Sequence, residues 1–123
     1  MTYMVSSKKL EVEQYVDAEG KNPFADWFNG LDPIAAAKIT VVVEKLADGK
    51  FSNVEPTGGG VSEYKLDWGP GYRVYFGKDG ETLIILVGGG TKKRQTADIK
   101  RAHQVWADYK KRKREEQKKA KEK

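Results

Sequence analysis

Residues 61–90 read VSEYKLDWGPGYRVYFGKDGETLIILVGGG, and this stretch decides the fold. Gly69-Pro70-Gly71 and Lys78-Asp79-Gly80 are short turn signals between runs rich in aromatic and branched residues. They predict three strands, at about 61–68, 72–78 and 82–88, joined as an antiparallel meander. Leu83 to Val87 is apolar without interruption, as expected of a central strand covered on both faces. With Pro70 at the centre of the first turn, Trp68 pairs with Tyr72, Leu66 with Val74 and Tyr64 with Phe76, which sorts one face as core. The other face then pairs Asp67 with Arg73, Lys65 with Tyr75 and Glu63 with Gly77.

Upstream, alternation of Leu10 and Val12 with Glu11 and Glu13 predicts a first strand at roughly 9–15. Asn22-Pro23 and Asp32-Pro33 each combine an N-cap residue with proline at the first helical position. Phe24, Trp27, Phe28 and Leu31 stripe the first helix; Ile34, Ile39, Val42, Val43 and Leu46 stripe a second that ends near 47. The two make a helical hairpin, and residues 48–60 read as a loop. Downstream, a helix starts near Lys92, with Ile99, Ala102, Trp106 and Tyr109 on its packing face. The order β-α-α-β-β-β-α is that of an α+β domain: a small, mostly antiparallel sheet with an N-terminal helical hairpin and a C-terminal helix.

The chain has 123 residues, enough for one modest core. We expect a folded domain over 1–112 and a frayed or disordered basic tail over 113–123. The absence of cysteine excludes disulfide scaffolds, thiolate zinc sites and cysteine nucleophiles, and a single histidine excludes His-rich metal centres, so no cofactor or metal is expected. The N-terminus has no apolar leader segment and no run approaches membrane-spanning length, so a cytoplasmic protein is expected.

Charge is distributed unevenly. From Lys92 onward there are fourteen Lys/Arg and five Asp/Glu, a balance of +9, against −4 for the first 91 residues. A basic C-terminal third suits a polyanion or an acidic partner; as readily, the last residues form a solvated helix face. Arg73 stands in mid-strand, where an ion pair with Asp67 is the plainest role. Gly88-Gly89-Gly90, however, lets backbone approach a ligand, and Thr91 is placed to cap a helix opened by Lys92, Lys93 and Arg94. Lysines at a helix start oppose its dipole, a local cost that an anion there would offset. Tyr75, on the polar face, is placed to stack on a base; Lys100 and Arg101 extend the basic surface; His103 borders the packing stripe and reads as a packing residue.

Together VSEYKLDWGPGYRVYF and ETLIILVGGGTKKRQTADIKRA resemble the RelE/ParE superfamily of toxins from bacterial type II toxin–antitoxin modules. The resemblance covers residues 8–112 and is nearest to the HigB-like, phage-related branch, the addiction module killer proteins. It implies a four-stranded RelE-like sheet with a helical hairpin and a C-terminal helix. It also implies an mRNA endoribonuclease that acts at the ribosome without metal, attacking through the RNA 2′-hydroxyl. A cognate helix-turn-helix antitoxin would neutralise it as a hetero-oligomer, with no membrane partner. By motif, Arg73 and Lys65 match the family's phosphate-stabilising arginine and strand lysine, and Lys92 or Lys93 its basic residue after the glycine-ended strand. Arg94, Tyr75, Lys100 and Arg101 would contact RNA. Two positions depart: Asp67 replaces a second lysine proposed as base, and a tyrosine of the last helix is replaced near Asp98. Each missing proton-transfer group costs on the order of 10²–10⁴ in rate. ParE-like members inhibit DNA gyrase instead, and a silent antitoxin-binding protein is the third alternative.

Overall fold

The computed structural model describes residues 9–122. Its elements are β1 (Glu11–Gln14), α1 (Pro23–Asn29), α2 (Pro33–Ala47), β2 (Val54–Gly58), β3 (Val61–Leu66), β4 (Tyr72–Asp79), β5 (Leu83–Thr91), a 3₁₀ turn at Lys92–Arg94, and α3 (Gln95–Lys121). The class is α+β. One five-stranded sheet has the order β1-β5-β4-β3-β2, antiparallel except for the parallel β1–β5 pair. Among the described residues no helix is long and apolar enough to cross a membrane. The leader reading of the N-terminus falls mainly on residues 1–8, outside the described residues, as does Lys123.

Both proline-started helices form as the caps dictate. The Asn22 side chain accepts from the Ala25 N–H at 3.0 Å and Asp32 from the Ala35 N–H at 2.9 Å. The helices cover one sheet face, where Phe24, Ile39, Val42 and Leu46 meet Tyr64, Tyr72, Val74, Phe76, Ile84 and Leu86. Helix α3 covers the other face, burying Ala102 and Trp106 against Val61, Tyr75, Ile85 and Val87.

Several expectations need correction. Residues 48–60 are not only loop: β2 pairs with β3, so the sheet has five strands rather than four. Pro56 and a register shift between Pro56 and Gly58 hide this strand from pattern reading, and a prolyl strand is tolerated because β2 is at the edge. The β3–β4 register is displaced by two residues, giving Leu66↔Tyr72, Lys65↔Arg73, Tyr64↔Val74 and Glu63↔Tyr75. The connection is a longer loop in which Gly69 and Gly71 both take positive φ. An even shift preserves the faces, so the sorting of side chains survives while the partners change. Trp68 leaves the strand and stacks on Tyr72.

Strand β5 runs through all three glycines to Thr91 instead of ending near Gly88. Thr91 makes no side-chain cap, and Lys92–Arg94 form a 3₁₀ turn ahead of α3. Residues 113–121, expected to fray, are helical. Helix α3 continues to Lys121, and Lys113 is tied to the body by Asp79, its Nζ lying 2.6 and 2.5 Å from the two carboxylate oxygens. Tyr109 donates to the same carboxylate at 2.5 Å.

Candidate functional site

The face that sequence alternation sorts as polar lies under the first turns of α3. Arg73 is 4% exposed, Glu63 4% and Tyr75 0%, so the arginine and tyrosine proposed for RNA contact are interior residues. The reason is α3 itself, whose Ala102 and Trp106 bring it down onto β3, β4 and β5. Tyr75 therefore offers no ring face to a base. The expected Arg73–Asp67 pair does not form. Arg73 Nε instead lies 3.8 Å from Glu63 Oε1, close enough for ion pairing and too far for a hydrogen bond. Nη1 donates to the carbonyls of Gly71 at 3.2 Å and Tyr72 at 3.3 Å. Gln95, at the start of α3, donates to both Glu63 oxygens at 3.0 Å.

Three buried side-chain atoms of this region have no hydrogen-bond partner: Arg73 Nε, Tyr75 Oη and Asp98 Oδ2. Burial without pairing is costly, and its electrostatic consequence is visible. Burial raises the Asp98 carboxyl pKa from its ordinary value, while Arg94 and Arg101 pull it partly back. Burial likewise raises Tyr75, helped by the negative charges of Glu63 and Asp98. The Asp98 carboxyl thus feels two guanidinium-bearing residues, Arg94 and Arg101.

The glycines make this arrangement possible. Gly89 has no room for a Cβ against the Trp27 ring, and Gly90 has none against the Asp98 carboxyl. A register shift opposite Tyr75 and Phe76 leaves Val87 as the extra residue of β5, so Gly90 lies opposite Arg73. Beside these glycines is a cleft of about 570 Å³ between α1 and α3. Its walls include Lys21 and Trp27 on one side, Arg94, Asp98 and Arg101 on the other, and Gly88 to Thr91 as floor.

The remaining sequence candidates divide. Lys92 joins the end of the site: its N–H donates to the Gly71 carbonyl at 2.8 Å. A Cβ on Gly71 would come within 3.2 Å of Lys92 Cβ and 3.5 Å of Arg73 Nη1. Arg94 and Arg101 line the cleft, whereas Lys93 and Lys100 are exposed and outside its walls. Lys65 is opposite Arg73 but is ion-paired with Glu55, beside Asp67 in a separate hollow near β2. His103 packs as expected, half-buried with Nε2 3.0 Å from Thr57 Oγ1.

Sequence reasoning did not single out Glu63, Gln95 or Trp27. The available signal was three glycines inside a strand, which marks close approach by neighbouring groups. Recognising which groups approach needs the packing of α1 and α3.

Chemically, this end of the sheet combines cationic side chains, a part-buried carboxyl and bare backbone. Such a combination suits an anionic ligand. No protein family model matches the chain. An uncharacterized protein of Haemophilus influenzae is 38% identical over 80 residues, covering 64% of this chain and 81% of the Haemophilus protein. The chain belongs to that protein's family.

Proposed function

We propose that the chain is a RelE-like toxin of a toxin–antitoxin pair, cutting messenger RNA at the ribosome and held in check by its antitoxin. The observation that carries this reading is the placing of Arg94 and Arg101 about Asp98 in the cleft, with Arg73 opposite Gly90 and Lys92 beside Gly71 at the same end of β4 and β5. Cleavage through the 2′-hydroxyl forms a bond from that oxygen to phosphorus and breaks the bond to the 5′-oxygen. Cations stabilise the crowded phosphorane, and the leaving oxygen needs a proton. Arg94 and Arg101 suit the first task, and Asp98, whose carboxyl pKa burial raises, suits the second. The helical hairpin on one face and long helix on the other support the resemblance; strand β2 is an addition to it.

The burial of Arg73 on Glu63 favours a second reading, a silent domain that holds its antitoxin without cutting RNA. Induced expression followed by primer extension on cellular RNA separates the two. Cuts within translated codons are expected, and they should disappear in the exposed double variant Lys92→Ala/Arg94→Ala with the far-UV circular dichroism unchanged. Intact messages accompanied by double-stranded DNA breaks would instead indicate a gyrase target. Intact messages without breaks leave the silent domain.

A further inference from the structure

We propose that residues 92–98 form a gate over Arg73, latched by Gln95 on Glu63, and that local unwinding of this segment uncovers the buried guanidinium beside the cleft. The two parts of α3 are held unlike one another. Around residues 108–113 the helix is tied firmly to the body. Tyr15 donates to the Asp108 carboxylate, Arg112 to the Val16 carbonyl at 2.8 Å, and Tyr109 and Lys113 to Asp79. Over residues 92–98, among the described residues, the side-chain hydrogen bonds to the sheet are those from Gln95 to the two Glu63 oxygens. Neither Thr91 nor Arg94 caps the turn or helix it precedes. Lys92, Lys93 and Arg94 also set positive charge where a helix start disfavours it. The start of α3 is the end free to move.

Closure also leaves polar groups unsatisfied. Arg73 Nε, Tyr75 Oη and Asp98 Oδ2 are buried without partners, so unwinding returns to them the hydration that closure removes. Arg73 stays behind when the helix start lifts, because its polar partners are all on β3, β4 and the loop between them. Its Nη1 donates to the carbonyls of Gly71 and Tyr72, and its Nε faces Glu63. Strand β4 is itself fixed between β3 and β5. Gly90 is what permits closure. A Cβ there would collide with the Asp98 carboxyl, 2.7 Å from its Cγ, although the φ of Gly90 is not positive. Backbone conformation does not require glycine at this position; seating Asp98 does. Arg94 and Asp98 are also walls of the cleft, so the same movement reshapes it. The closed form withholds Arg73 from a phosphate, and the open form adds it to Lys92 and Arg94. That role, unlike the gate itself, rests on the RNA-cleaving reading.

Phenylglyoxal modification of the full chain, mapped by peptide mass, reads the exposure of Arg73 against the exposed Arg114. Amide hydrogen exchange at Lys92, whose N–H must leave the Gly71 carbonyl on opening, reads the unwinding. In the wild type Arg73 should react about tenfold or more slower than Arg114. Gln95→Ala should speed both readouts about tenfold or more, as expected when hydrogen bonds to a buried carboxylate are removed. The amides of residues 105–112 should not change. Gly90→Ala should act in the same direction, and adding Asp98→Ala should restore slow reaction because the colliding carboxyl is gone. Unchanged Arg73 reactivity in Gln95→Ala overturns the gate. So does acceleration at Arg73 that comes only together with the 105–112 amides, since that is global unfolding. If Gly90→Ala does not fold, Gln95→Ala decides alone. Neither readout involves RNA, so a chain that passes both and cuts no message keeps the gate and loses only the cleavage reading.

Discussion

The two faces of the sheet are built from alternate residues of the same strands, yet they differ in kind. Under α1 and α2 the interior is apolar and aromatic, and none of its buried members is an ordinarily charged residue. Under α3 the interior begins in the same way around Trp106 and Ala102, then passes at the β5 end into Glu63, Arg73, Tyr75 and Asp98. All three buried, unpartnered side-chain atoms named above are on this second face. One face is organised for stability alone. The other gives up stability locally, and departures of this kind concentrate at functional sites.

The sharpest test of the contrast is Arg73→Ala. It leaves the buried Glu63 charge without its cation and should cost about 3–5 kcal/mol in urea unfolding. Adding Glu63→Gln should recover part of the loss, because the stranded charge disappears with it. A cost below that of an apolar truncation, with no recovery, would remove the charge argument. Leu46→Ala on the opposite face is the reference. It removes packing from a fully buried site, and the loss should be about 2–5 kcal/mol with no dependence on any charged partner.

Next in size is the pH dependence of Asp98. Burial raises its folded pKa above its unfolded value, so the native state binds the extra proton and stability falls as pH rises from the unfolded value toward the folded one. Asp98→Asn should abolish this fall, so the melting temperatures of wild type and variant should diverge, in favour of the variant, on going from about pH 4 to pH 7. Parallel curves would place the carboxyl in a solvated environment. Asp79 has the opposite sign. Lys113 and then Tyr109 lower its pKa, and its contribution is lost on acidification below the ordinary carboxylate range.

The smallest effect belongs to the end of α3. A chain stopped after Arg112 loses the half-exposed Lys113–Asp79 pair and should be destabilised by less than about 1 kcal/mol. A larger loss would mean that the last turns of α3 contribute to the packed face.

Local signals in the chain were sufficient for much of this architecture. Asn22-Pro23 and Asp32-Pro33 specify where α1 and α2 begin, because the capping oxygens and proline's fixed φ act within three residues. Alternation through β3 and β4 specifies which residues share a face, since a period of two survives an even shift in register. The partners across that face were not legible: loop length sets register, and the wide turn at Gly69 to Gly71 displaced Arg73 from Asp67 to Lys65. Strand β2 was not legible either, because an edge strand with proline carries little apolar pattern.

For the site, the sequence by itself determined that cations and three glycines gather after Leu86, since these are properties of neighbouring residues. Only tertiary structure decided that Arg73 and Tyr75 are buried, that Glu63 and Asp98 join them, and that Gly88 opens onto a cleft. The physical reason is α3. Burial and pKa depend on what covers a strand, and the covering helix is about twenty residues and more away along the chain from the β4 residues it encloses.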